Sequence, residues 1–481
     1  MNALTSPLLA TLSGYWGGRF QPLAGLPRFA VHDPATGALL AELPRMGADQ
    51  AQQALASATD NLRRPPPTLE ARGASLIAIA TALRDNRDTL AAIITLENGK
   101  PTSEALGEVD YAATFFDDAA THLPALRPTT LDARPRGLTW TVHHRPSGVA
   151  ALITPWNFPL GMLAKKLSGA LAAGCPSVVK PAELTPLTCI AFFAVLDGLD
   201  LKPGAVNLVF GDAPAIGQAM CSHAAVRVLS FTGSTAVGKL LAAQCAPHVK
   251  RVSLELGGNA PFLVFADADL PRAVDALMAS KFRSAGQTCV CANRVYVART
   301  IAEPFIAALV ARVDALKVGV GSLPGVEIGP LIDQGAWSKV DRHVREAVAQ
   351  GAVIRSAGTP LAAPFFRPTV LTGVTAEMAC TREETFGPLV AITVFDDEDS
   401  AVAAADDTEY GLAAYVFTSD PARAERVTAR LHFGHVGVNT GSGPTPEAPF
   451  GGFRQSGIGR EGGAEGVLEF VELQTVPSAG F

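Results

Sequence analysis

The sequence predicts an α/β fold built on a doubly wound parallel sheet, and three observations predict it. From Gly148 onward, short apolar runs alternate with stretches of helical spacing, the pattern of repeated β-α-β units. The 481 residues are 48% hydrophobic and only 17% charged, so the chain can bury large cores. Its 45 glycines and 35 prolines supply turns without a collagen-like or linker period. At roughly 150 residues per domain, the length suits about three domains.

Residues 49–61 and 70–98 are Ala/Leu-rich at helical spacing and read as helices, with Gly99 as the stop. Residues 138–144 alternate and are β-branched, so they read as a strand. Strands then follow at 149–153, 177–180, 206–210 and 226–231. Each leads into a helix, at 160–173, 186–199, 213–223 and from Thr235. A second α/β series runs over 261–438. The tail from Phe450 is Gly-rich and closes in a short strand over 466–476. Neither an internal repeat nor a low-complexity tract is visible.

Lys plus Arg is 39 against 45 Asp plus Glu, a net charge of -6. Nucleic-acid and membrane-surface binders usually carry a basic excess, so neither kind of partner is expected. No apolar run reaches the 18 or so residues of a membrane helix. Residues 1–18 lack the basic-then-apolar order of a secretory signal. The seven cysteines (Cys175, Cys189, Cys221, Cys245, Cys289, Cys291 and Cys380) are odd in number and lack zinc-finger spacing. No disulfide framework and no metal are expected, and the compartment expected is the reducing cytoplasm.

Two glycine-rich segments invite a nucleotide reading. Gly319-Val-Gly-Ser-Leu-Pro-Gly325 fails it, because Pro324 and the lack of a following helix break the strand-turn-helix context. It reads as a structural turn. Gly233-Ser-Thr-Ala-Val-Gly238-Lys239 fits a P-loop until Leu240, which replaces the Ser/Thr that would hold Mg²⁺. NTP hydrolysis is thereby excluded. What remains is a turn after a strand, opening a helix whose N-terminal amides can face an anion.

Three other residues suit chemistry, each with a plainer alternative. Cys289, in Gly286-Gln-Thr-Cys289-Val-Cys291, follows a helix ending near Ser284. On a loop it can be reached by substrate and deprotonated by amide dipoles; otherwise it is a core thiol. Glu255, in Leu254-Glu-Leu-Gly-Gly258, has apolar flanks that suit a carboxyl of raised pKa, as a general base needs; otherwise it is a solvated glutamate. Asn157, in Thr154-Pro-Trp-Asn-Phe-Pro159, follows a buried strand. It is either a turn asparagine or an amide aimed at a developing oxyanion.

Together these contexts resemble the NAD(P)-dependent aldehyde dehydrogenase superfamily, and within it most look like succinate-semialdehyde dehydrogenases. Further carrying segments are Lys180-Pro-Ala-Glu183, Phe231-Thr-Gly-Ser234, Gly329-Pro-Leu-Ile332, Glu383-Glu-Thr-Phe-Gly-Pro388, Pro449-Phe-Gly-Gly452 and Ser456-Gly-Ile-Gly-Arg460, in the family's order. The resemblance implies a Rossmann-like cofactor domain (1–123 and 146–257) and an α/β catalytic domain (258–448). It also implies a small β oligomerisation flap with the C-terminal tail (124–145 and 449–481). An isolated two-stranded ribbon is marginal in water, so the flap is expected to pair across subunits in a homodimer or homotetramer.

The resemblance assigns Cys289 as nucleophile, with Asn157 and the Cys289 backbone N–H holding the oxyanion. Oxidation of the thiohemiacetal leaves a thioester, and Glu255 activates the water that cleaves it. It gives Thr154, Pro155, Trp156, Lys180, Glu183, Gly233, Ser234, Glu384 and Phe386 to the cofactor. Glu183 can accept from a ribose 2'-hydroxyl but would repel a 2'-phosphate, so NAD is expected over NADP. Arg283 matches the arginine that grips a distal carboxylate, and its guanidinium suits bidentate binding. A second arginine expected on the helix after Trp156 is replaced by Lys165, which keeps the charge without the fork. Ser442-Gly-Pro-Thr-Pro-Glu447 departs from the usual run, and Glu447 adds a negative charge if it faces inward. Phe158 and Phe450 are expected in the substrate channel. Cys291 is a candidate for a reversible disulfide with Cys289.

Succinate semialdehyde is thus the expected substrate, with glutarate semialdehyde or a neutral or aromatic aldehyde as alternatives. CoA-acylating or phosphorylating relatives can dispense with the water-activating base, so Glu255 argues against them. A non-catalytic homologue is the alternative of another class, and retention of Cys289, Glu255, Asn157, Lys180 and Glu384 together argues against it.

Overall fold

The computed structural model describes residues 3–131 and 137–479. An eight-stranded sheet has five central parallel strands in the order Arg251–Glu255, Val226–Thr232, Val149–Ile153, Ser177–Lys180 and Val206–Leu208. Short antiparallel strands close it, Gly457–Ile458 at one edge and Tyr15–Trp16 with Arg19–Phe20 at the other. From Val149–Ile153 the chain builds outward through Ser177–Lys180 to Val206–Leu208. It then returns to the other flank of Val149–Ile153, which places a topological switch point beside that strand. Helices cover both faces, so all five residues of Val149–Ile153 and all four of Ser177–Lys180 are buried.

A second sheet of seven strands carries Thr369–Thr372, Leu389–Phe395, Ala292–Ala298, Ala260–Val264, Ala413–Phe417 and His435–Val438 in parallel order, with Val353–Ile354 antiparallel at one edge. It surrounds its own apolar core. A third, antiparallel sheet joins Val471–Ala479 to Leu138–Pro146 and Thr129–Leu131. None of the helices among the described residues is long and apolar enough to cross a membrane.

Two local expectations change, and two features lie outside the sequence reading. The helix expected over 70–98 is two, Leu69–Asp85 and Arg87–Asn98. They break at Asn86, whose side chain donates to Ala82 O at 2.9 Å and so competes with the backbone ladder. Short strands occupy much of residues 15–44, where sequence periodicity is too brief to register. Helix Thr102–Thr121 carries part of the cavity wall, though the sequence reading assigned it no role. The C-terminal strand begins at Val471 rather than Gly466, because residues Gly463–Leu468 form a helix packed on Gly161–Ala173.

Candidate active site

The switch point brings three segments together. Strand Val149–Ile153 runs into the Asn157 turn, Val226–Thr232 runs into Gly233-Ser234, and Arg251–Glu255 ends on Glu255 itself. Above them opens a cavity of about 590 Å³, within the usual range for small-molecule sites. Asn157, Phe158, Lys165, Glu255, Arg283, Cys289, Glu384, Phe386 and Phe450 all line it, with Pro155, Trp156, Gly233 and Ser234.

Cys289 rides on a loop with an unusual backbone. Helix Leu270–Phe282 ends, and Ser284, Ala285 and Gly286 follow at φ 51°, 54° and 74°. Such left-handed conformations cost non-glycine residues energy and persist only where the surroundings hold them. Here Glu104 accepts from Ser284 N at 2.7 Å, and Gln287 accepts from Ile332 N at 2.9 Å. Tyr415 donates its hydroxyl to Val290 O at 2.7 Å. Gly286 has no substitute, since a Cβ there would lie 2.3 Å from Gly387 O.

Asn157 donates Nδ2 to Gln287 O at 2.9 Å, which fixes its amide beside the cysteine loop. An amide has a second N–H, free for an oxyanion. Glu255 is 3% exposed, and neither carboxylate oxygen has a hydrogen-bond partner among the described residues. Burial, and then the charge of Glu461, push its carboxyl well above the usual carboxylate range. Burial and the Glu384 carboxylate push the Cys289 thiol up to about 12, while Lys165 works against them. Burial also raises Glu384 to about 7.

The residues present fit a dinucleotide. Ser234 caps helix Thr235–Cys245, whose first turn holds no acidic residue to neutralise it. Its amides therefore suit a pyrophosphate. Phe386 and Trp156 meet edge to face at 5.6 Å, forming an aromatic corner of the cavity. Gly258 N donates to Glu384 Oε1 at 3.1 Å, so that carboxylate is held in the same wall. Lys180 and Glu183 sit outside this cavity, at the end of the neighbouring strand, paired with each other. Thr154 is also behind the wall, with Oγ1 buried and without a hydrogen-bond partner among the described residues.

At the substrate end, the Arg283 guanidinium lies 5.1 Å from the Phe158 ring centre. Lys165 is 2% exposed, 4.4 Å from the Phe450 ring centre and 3.9 Å from Glu461 Oε2. Glu447 is exposed and accepts from Thr445, so it does not supply the cavity's negative charge. Glu461 does, and Glu104, Glu108 and Tyr111 of helix Thr102–Thr121 line the same space. Those four were missed by sequence reasoning. The i, i+4, i+7 spacing of Glu104, Glu108 and Tyr111 was the available signal, because acids and a tyrosine in line with a helix's buried apolar face need partners. Cys291 is buried away from the cavity, with Lys281 Nζ 3.6 Å from its sulfur.

The aldehyde dehydrogenase family model matches residues 22–476. The chain is 47% identical to a probable NADP(+) succinate-semialdehyde dehydrogenase of Sinorhizobium fredii, over 93% of this chain and 92% of that protein. It is 43% identical to a 3-sulfolactaldehyde dehydrogenase of Pseudomonas putida, over 99% of each. The crystal structure of an oxidoreductase from Marinobacter aquaeolei superposes with a TM-score of 0.97 at 54% identity, covering 98% of this chain and 99% of that one. A family model that matches nearly the whole chain, with relatives at more than 40% identity over more than nine-tenths of it, shows that the chain belongs to the aldehyde dehydrogenase family.

Proposed function

We propose that the chain oxidises succinate semialdehyde to succinate. The observation that carries this substrate is Arg283, a cation in the cavity wall with no ion-pair partner among the described residues. Cys289 adds to the aldehyde carbon, and the oxyanion is met by the free Asn157 N–H and the Cys289 backbone N–H, which makes no hydrogen bond among the described residues. Bound NAD(P) supplies the hydride acceptor. Glu255, once deprotonated, takes the proton of the water that cleaves the thioester. Lys165 is already close to Glu461, so Arg283 takes the larger share of the substrate carboxylate. In an Arg283→Leu variant, KM for succinate semialdehyde is expected to rise roughly 10- to 100-fold, the worth of a charged hydrogen bond, while butanal kinetics stay put. Equal losses on both substrates would remove the carboxylate reading. The relatives' substrates include another anionic aldehyde, 3-sulfolactaldehyde, which belongs in the same panel.

NAD is proposed as the preferred cofactor, on Glu183. Its carboxylate, though paired with Lys180, is 36% exposed and free to meet a ribose. The Sinorhizobium relative carries NADP(+) in its name, which makes the comparison of the two cofactors decisive. Glu183→Ala is expected to shift the NADP-to-NAD ratio of kcat/KM at least about tenfold toward NADP. No shift would detach Glu183 from the 2' position.

A homo-oligomer is proposed from the third sheet. Strand Val471–Ala479 is exposed along most of its length, with Leu473 65% and Val476 38% exposed, and Leu131 of the same sheet is 44% exposed. Residues 132–136 of the expected flap lie outside the described residues. The Cys289–Cys291 redox pair, too, stays a proposal. Peroxide inactivation that dithiothreitol reverses, and that Cys291→Ala abolishes, would support it.

A further inference from the structure

The turn that carries Asn157 is held by two charged side chains with no part in the chemistry above. Lys100 Nζ donates to Asn157 O at 2.8 Å and to Glu108 Oε2 at 2.6 Å, and both side chains have 0% exposure. Glu108 Oε1 accepts from Leu160 N at 2.9 Å and Gly161 N at 3.1 Å, at the start of helix Gly161–Ala173. The Lys100 ammonium lies 3.8 Å from the Phe158 ring centre. Two residues before it, Asn98 donates to Trp156 O at 2.9 Å. Trp156, Asn157, Phe158, Leu160 and Gly161 are therefore each gripped by a side chain from residues 98–108.

This arrangement exceeds what stability asks for. A buried ion pair is often matched or bettered by apolar groups of the same shape, because two charges must be desolvated to form it. What apolar groups cannot do is fix a backbone carbonyl to within tenths of an ångström. The carbonyl fixed here belongs to the one residue whose amide must meet the oxyanion.

We propose that Lys100 and Glu108 are positioning residues for aldehyde oxidation, acting through Asn157 by anchoring its carbonyl and the helix start beyond it. The proposal rests on Asn157 serving the oxyanion. Lys100 touches neither substrate nor cofactor; it sets where the Asn157 Nδ2 points relative to Cys289.

The test is a set of double-mutant cycles read by kcat with succinate semialdehyde and NAD, alongside Tm. Asn157→Ala is expected to slow kcat about 100-fold. Lys100→Met is expected to slow it about 10- to 100-fold, as small misplacements do. Lys100→Met in the Asn157→Ala background is expected to add less than about twofold, because the two act as one unit. Lys100→Met/Glu108→Gln is expected to recover the Tm lost by Lys100→Met while staying slow. Should Lys100→Met not fold, Glu108→Gln enters the same cycle with Asn157→Ala and is expected to show the same non-additivity. Recovery of kcat together with Tm in the double variant would reduce the pair to packing and overturn the proposal. So would independent, multiplicative losses, or a wild-type kcat in Lys100→Met beside a slow Asn157→Ala. A wild-type kcat in Asn157→Ala would instead remove the oxyanion reading itself, and the proposal with it.

Discussion

Cys289→Ala is expected to lose aldehyde oxidation by at least about 10⁴-fold, because Cys289 is the one cysteine among the described residues that line the cavity, and the thioester forms on its sulfur. Its fold should survive. The Cys289 side chain is only half-buried, and its sulfur makes no hydrogen bond among the described residues, so its removal strands no partner. NAD binding, followed by fluorescence, should also survive, since the residues proposed to hold the cofactor, Glu384, Phe386, Gly233 and Ser234, are untouched. The same residue makes a pH prediction. A thiol pushed up to about 12 is almost wholly protonated at neutral pH. Alkylation of the resting enzyme by iodoacetamide should therefore accelerate about tenfold per pH unit between 7 and 9. A rate already flat at pH 7 would mean that the thiolate exists in the resting site, and that the cavity compensates its charge better than burial beside Glu384 suggests.

Glu255→Gln is expected to separate the two halves of the reaction. With Glu255 proposed to act only on the deacylating water, one equivalent of NADH per site should form at close to the normal rate. Turnover should then stall, with the steady state down about 10²- to 10⁴-fold, the usual worth of a general base. In the wild-type protein the same carboxyl is held well above its ordinary range by burial and by Glu461. A raised acid is protonated and idle below its pKa. Deacylation should accordingly quicken as pH rises through that value and level off above it, and the rise should vanish in the variant. Glu461→Gln removes the neighbouring charge and should move the midpoint downward. A Glu255→Gln variant that shows no burst, with acylation slowed as much as turnover, would place the residue earlier in the reaction.

The parallel strands and the motif-bearing turns were legible in the sequence because each is short-range. A buried five-residue run such as Val149–Ile153 declares itself, and so do Pro-Trp-Asn and Gly-Gln-Thr-Cys. Glu255 and Cys289 were found in contexts that later met in one cavity. What stayed hidden depends on contacts across the chain. Glu461 follows a glycine-rich tail and looks like any surface acid until Gly463–Leu468 folds as a helix and buries it beside Lys165 and Lys166. Glu108 and Lys100 satisfy each other and the Asn157 turn from about 50 residues away, which no local pattern encodes. Glu447 failed in the opposite direction. Its position in an atypical loop suggested the cavity, but its side chain stays in solvent, bonded to Thr445.

The most direct test of the central claim is to trap the acyl group. Glu255→Gln mixed with succinate semialdehyde and NAD, quenched in acid during the burst, should carry the mass of one succinyl group per chain. Peptide mapping should place it on Cys289 and not on Cys291. An unmodified chain after a full NADH burst, or an acyl group mapped to another residue, would contradict the cysteine-thioester account of this cavity.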